Sequence, residues 1–129
     1  MKKVLVVEDN PDNMELVTLA LHHSGYQVIQ AWTGEEGVEL AIKEHPYFIL
    51  MDIALPGIDG IEATRRIRAS SANGNTPIIA VTSYAMRGDM ENILSAGCSG
   101  YFEKPIDPLR IVDDIHKILR GIGYEDPGR

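Results

Sequence analysis

Four apolar stretches of this 129-residue chain run into residues that can do chemistry. Val4 to Val7 leads into Glu8 and Asp9, Phe48 to Met51 into Asp52, and Ile78 to Val81 into Thr82; the shorter Tyr101-Phe102 pair leads toward Lys104. Three carboxylates brought together raise one another's pKa unless something positive sits among them. A hard divalent cation is the economical neutraliser, and Mg²⁺ suits a shallow site with two or three oxygen ligands and retained waters. Lys104 would add a second counter-ion. Whether these groups meet depends on the elements that carry them.

Val4 to Val7, Val28 to Ala31, Phe48 to Met51 and Ile78 to Val81 read as strands buried on both faces, as parallel strands covered by helices require, and Tyr101 with Phe102 marks a weaker fifth. Between and after them, helical spacing joins Met14, Val17 and Leu21; Val38, Ala41 and Ile42; Met90, Ile93, Leu94 and Gly97; and Ile111, Val112, Ile115, Ile118 and Leu119. Asn10-Pro11 and Asp107-Pro108 each place a capping side chain before a proline at the first helical position. Thr33 with Glu36 and Asp59 with Glu62 have capping-box spacing, and Gly25 and Gly97 stand where helices should stop. Five strand-then-helix units predict an α/β fold, a doubly wound, five-stranded parallel sheet with five helices. In the flavodoxin-like order 2-1-3-4-5, the first and third strands are neighbours at the switch point, and Glu8, Asp9 and Asp52 converge there. The expected domain spans residues 1–122, with 123–129 a flexible tail or the start of a linker.

Composition narrows the function. Hydrophobic residues at 44% and charged residues at 24% are ordinary for a globular domain, and the length suffices for one core. A net charge of -7, from 12 basic against 19 acidic residues, argues against direct nucleic-acid binding, which needs clustered Lys and Arg. The single Cys98 has no internal disulfide partner, which suits a reducing compartment. The apolar run near the N-terminus is too short for a signal sequence or a membrane span, so no membrane partner and a cytoplasmic location are expected.

The motifs VLVVEDN, ILMDIALPGIDG, IIAVTSYAM and GYFEKPI together resemble the receiver domains of two-component response regulators, over roughly residues 3–120. The resemblance implies strand order 2-1-3-4-5 and implies that Asp52 takes a phosphoryl group from a phosphohistidine on a histidine kinase or histidine phosphotransfer protein. By the same resemblance, Asp9 and Asp52 bind Mg²⁺ directly, Glu8 through water and Ala54 through its backbone carbonyl. Thr82 and Lys104 hold phosphoryl oxygens, Tyr101 is the aromatic switch residue, and the Lys104-Pro105 bond is cis. A downstream protein would read the switch on the face of helix 4, strand 5 and helix 5. The chemistry is consistent with these roles: phosphoryl transfer asks for positioning and charge neutralisation more than for acid-base catalysis. The chain is then a signalling module rather than an enzyme, its only reactions being self-phosphorylation from phosphodonors and slow self-dephosphorylation.

Other readings compete at each position. Glu8 and Asp9 could cap the first helix, Asp52 could be a turn residue, Thr82 an ordinary strand residue, Tyr101 simple packing and Lys104-Pro105 a trans turn. His22, His23, His45 and His116 lack ligand spacing and are expected on the surface, and Trp32 half-exposed at a strand end. Met86 and Met90 fall on the fourth helix, where partners commonly bind in this family. A haloacid-dehalogenase-type phosphohydrolase would need a second Asp two residues after Asp52, where Ala54 stands; a flavodoxin would need a Ser, Thr and Gly-rich loop in place of EDNPDN. A receiver that works without phosphorylation would not need the full set of Glu8, Asp9, Asp52, Thr82 and Lys104. By the same resemblance to receiver domains, Ala54 and Tyr84, two positions after Asp52 and Thr82, would flank the path of a hydrolytic water. Ala54 cannot orient that water and Tyr84 can cover it, so slow loss of phosphate is expected.

Overall fold

The computed structural model describes residues 1–70, 74–83 and 87–124. Strands β1 (Lys3–Val7), β2 (Gln27–Ala31), β3 (Ile49–Asp52), β4 (Ile78–Thr82) and β5 (Gly100–Glu103) alternate with helices α1 (Pro11–His23), α2 (Gly34–Glu44), α3 (Gly60–Ala69), α4 (Arg87–Ala96) and α5 (Ile111–Gly121). All neighbouring strands are parallel, and the sheet order is β2-β1-β3-β4-β5, as expected.

The unbroken apolar runs are explained by a core on each face. Leu5, Val7, Ile49, Met51, Ile78 and Ala80 point into one cluster with Ala41 of α2, Ala63 and Ile67 of α3 and Ile93 of α4. Their strand neighbours Val4, Val6, Leu50 and Ile79 point into the other, with Met14, Val17 and Leu21 of α1 and Ile111, Ile115 and Leu119 of α5. Alternate side chains of a strand leave opposite faces, so a strand covered on both sides must be apolar throughout.

Local signals set most helix boundaries. Asn10, Thr33 and Asp59 each accept the backbone N–H three residues on, at 2.9, 3.1 and 2.8 Å. Glu36 reaches back to the N–H of Trp32 rather than to that of Thr33, a displaced capping box. Gly25 and Gly97 follow α1 and α4 with φ of +94° and +113°, a conformation that suits glycine.

Five local expectations need correcting. Strand β2 is not buried on both faces: at the edge of the sheet, Val28 and Ile29 are half-buried and Gln30 is exposed. Ile42 and Leu94 are 41% and 49% exposed and leave the buried stripes of α2 and α4. On α2 the stripe is Gly34, Gly37 and Ala41, because the helix lies so close that a Cβ on Gly37 would meet the Val7 side chain at 2.8 Å. Helix α5 begins at Ile111, not at Pro108: the Asp107 carboxylate accepts the N–H of Leu109, and its carbonyl accepts those of Arg110 and Ile111, making a turn before the helix. His116 is half-buried, its ring 2.9 Å from the hydroxyl of Tyr26.

Candidate functional site

The site is built where β1, β3 and β4 end. Val7 pairs with Met51 and Asp52 with Val81, so the residue after β1 and the last residue of β3 emerge side by side. Asp52 and Glu8 are each only 2% exposed, whereas Asp9 is exposed. One carboxylate oxygen from each of the three lies within 4.8 Å of the others. The Lys104 ammonium donates to Asp52 Oδ2 at 3.0 Å and lies 3.4 Å from Glu8 Oε1, bridging the two buried acids. The other Asp52 oxygen, Oδ1, accepts the N–H of Ala54 at 3.1 Å, and Glu8 Oε2 accepts the N–H of Asn10 at 3.1 Å.

Lys104 is placed by backbone pairing: its N–H donates to the carbonyl of Thr82 at 2.8 Å, and a cis peptide joins it to Pro105. Thr82, the last residue of β4, is buried at 6% exposure. Tyr101 lies half-buried on β5, paired with Ala80 and packed against the α2–α4 side of the core. Ala54 is exposed in the turn after β3, which folds back as the N–H groups of Leu55 and Gly60 both donate to the carbonyl of Ile53.

Three carboxylates face one ammonium, and the imbalance is visible in the ionisation of Glu8. Burial, then its contact with Asp52, pushes it up to about 7, against the opposing pull of the Asn10 N–H and Lys104. For Lys104, burial favours the neutral amine, but the hydrogen bond to Asp52 and the charges of Asp52 and Glu8 outweigh it and hold the pKa above the ordinary value. An all-oxygen donor set with surplus negative charge, half buried and half open, fits a hard divalent cation.

Comparison with known proteins decides the family. The response regulator receiver domain model matches residues 4–116. The chain belongs to this family. This receiver domain is 42% identical over 118 residues to the polar-differentiation response regulator DivK of Brucella ovis, covering 92% of this chain and 96% of that protein. It superposes on Vibrio cholerae chemotaxis protein CheY4 with a TM-score of 0.87 at 28% identity, covering 92% of this chain and 99% of that one. The receiver domain of the Pseudomonas aeruginosa sensor histidine kinase PA1611, with a magnesium ion coordinated in its active site cleft, gives 0.83 at 38% identity, covering 95% and 98%. No helix among the described residues of the receiver domain is long and apolar enough to cross a membrane.

In the receiver domain, then, Glu8, Asp9, Asp52 and Lys104 meet at one place, with Thr82 and Ala54 on the chain segments that border it. Tyr84 and Met86 lie outside the described residues. Sequence reasoning overlooked the N–H of Asn10, which holds Glu8, and the reason for glycine at Gly60. A Cβ there would stand 2.2 Å from the carbonyl oxygen of Asp52. The Asp-Gly pair at the start of α3 was the available signal, but the contact is long-range and leaves no local pattern.

Proposed function

We propose that Asp52 is the phosphoacceptor of this receiver domain and that its phosphorylation switches the surface offered to a partner. The observation that carries the reading is the Lys104 ammonium 3.0 Å from a buried Asp52 that shares its site with Glu8 and Asp9. Asp9 and Asp52 would hold Mg²⁺, with Glu8 acting through water and Ala54 through its carbonyl. The ion, when bound, would neutralise charge on the transferring group.

The donor is a phosphohistidine on a histidine kinase or phosphotransfer protein. The carboxylate of Asp52 forms a new P–O bond as the P–N bond breaks, and the departing imidazole keeps the bonding electron pair. The Ala54 N–H fixes one carboxylate oxygen, and Lys104 lowers the charge at the other. The new phosphoryl oxygens recruit the hydroxyl of Thr82 and the ammonium of Lys104, drawing the end of β4 toward Asp52. Tyr101 then follows, and the face of α4, β5 and α5 changes for a downstream protein. The exposed Leu94 gives that face an apolar contact. Ala54 and Tyr84 set the phosphate lifetime, which is long.

The test is incubation with a small phosphodonor and Mg²⁺, read by intact mass. Wild type should gain one phosphoryl group and Asp52→Asn none, while both keep the same circular dichroism spectrum. Stoichiometric labelling of Asp52→Asn would overturn the assignment.

A further inference from the structure

Thr64 is fully buried on α3, in a position where an isosteric valine would suit the surrounding Ala63, Ile67 and Cys98. Its hydroxyl donates to the carbonyl of Gly60 at 2.8 Å and has Cys98 Sγ on its other side at 3.7 Å. In a regular helix that carbonyl already receives the N–H of residue 64, so the hydroxyl bond is an addition. Threonine back-bonding of this kind bends a helix and does little for its stability, so its consequence is geometric.

The geometry it sets concerns the site. Gly60 closes the turn of residues 53–59: its N–H donates to Ile53 at 3.0 Å, and its Cα lies against the carbonyl of Asp52, where even a methyl group would be 2.2 Å from the oxygen. That turn carries Ala54, whose N–H holds the Asp52 carboxylate. The residue at the neck of the loop is thus the one whose carbonyl Thr64 grips. Burial keeps the Cys98 thiol protonated, its pKa raised despite the opposing Thr64 bond and Arg68 charge. The thiol can then donate to the Thr64 oxygen while the Thr64 hydroxyl donates to Gly60.

The geometry points to Thr64 as a positioning residue for the phosphoacceptor: its hydroxyl seats the first turn of α3 against Asp52, so that the carboxylate and the loop after it are set for the cation and the phosphoryl group. This rests on the reading of Asp52 given above.

Two matched pairs separate the hydroxyl from the volume it occupies. Wild type and Thr64→Val differ in the hydroxyl at nearly constant size; Thr64→Ser and Thr64→Ala differ in it at a smaller size. Titration with Mg²⁺ alone, by calorimetry, should give about fivefold weaker binding for Val and Ala, the scale of one hydrogen bond, with Ser within about twofold of wild type. In metal-free protein, hydrogen exchange at the N–H groups of Ala54 and Gly60 should speed up in Val and Ala only. Melting temperature should follow a different order, Ser falling below Val because it loses a buried methyl group. If Thr64→Val cannot be folded, the Ser and Ala pair decides. Mg²⁺ affinity and exchange that follow the melting temperature, or that are unchanged in Val and Ala, would overturn the inference. Failure of wild type to bind Mg²⁺ would instead sink the reading of Asp52, while the exchange rates would still decide whether Thr64 holds the loop.

Discussion

Glu8 meets a conflict at the scale of one side chain, since it is buried beside Asp52 with only part of its charge compensated. Its ordinary value of 4.5 rises to about 7 in the folded chain. Between those values the folded state keeps a proton that the unfolded state has lost, so the metal-free protein should lose stability as pH rises through that window. Denaturant melts with a chelator at pH 5 and pH 7.5 should show a decline larger by roughly 1–3 kcal/mol in wild type than in Glu8→Gln, which cannot titrate. Identical slopes for the two proteins would refute the argument. Lys104→Ala removes the counter-ion shared by both buried acids; it should still accept phosphate, yet a partner that selects phosphorylated wild type should no longer distinguish its two forms. Equal discrimination by the mutant, measured by calorimetry with the partner, would contradict this. The charged members of the site were legible because each stands beside the end of an apolar run. Asn10, Gly60 and Thr64 were not, because each acts through the backbone or through a contact made only on folding.

Among the elements, the central strands β1, β3 and β4 were the most legible, since burial on both faces leaves no room for a polar residue until the sheet ends, whereas the edge strand β2 holds exposed Gln27 and Gln30. The helix faces were less so. Whether Ile42 or Gly37 faces the sheet depends on how closely α2 approaches Val7, and apolar spacing alone does not encode that distance. The start of α5 was misplaced because Asp107-Pro108 supports a turn as readily as a first helical turn. The loop between β3 and α3 has its own constraint at Gly60. Gly60→Ala would place a methyl group against the backbone of Asp52 and Ile53, neither of which can rotate away. Chemical denaturation should show a loss of roughly 2–4 kcal/mol, and Mg²⁺ affinity should fall with it. A variant as stable as wild type would mean that the α3 start is free to move. Ala54→Asn in that loop, combined with Tyr84→Glu, should speed the loss of phosphate about tenfold, because one positioned water is worth a barrier change near 1.4 kcal/mol. Decay of the phosphorylated protein in Mg²⁺ without other proteins measures it, and an unchanged rate would remove both positions from control of the lifetime.

Over the whole molecule, the site occupies one end of the sheet and an aromatic clasp the other. Tyr47 lies just before β3, the strand that ends at Asp52, and its ring packs on that of Tyr124 with centroids 4.9 Å apart. The Tyr124 hydroxyl donates to the carbonyl of Tyr47 at 3.0 Å, its backbone N–H donates to Leu119 at 2.8 Å, and the Lys2 ammonium sits 4.9 Å from the centre of the Tyr47 ring. The Tyr124 contacts lie beyond residue 122, where the tail was expected to begin, and with Lys2 they join both ends of the described chain to the start of β3. Removing everything after residue 122 should therefore destabilise the fold by roughly 1–3 kcal/mol, combining the lost hydrogen bonds of Tyr124 with lost aromatic packing. Tyr124→Phe keeps the ring and should lose only about 1 kcal/mol, the share of the hydroxyl. Because β3 is pinned at its far end by pairing with both β1 and β4, the loss should not reach Asp52, and Mg²⁺ affinity of the folded protein should match that of wild type. Thermal melts and calorimetric titrations of the three proteins test both halves. Unchanged stability on truncation would show that the clasp contributes nothing, and a coupled fall in Mg²⁺ affinity would show that the two ends of β3 are linked.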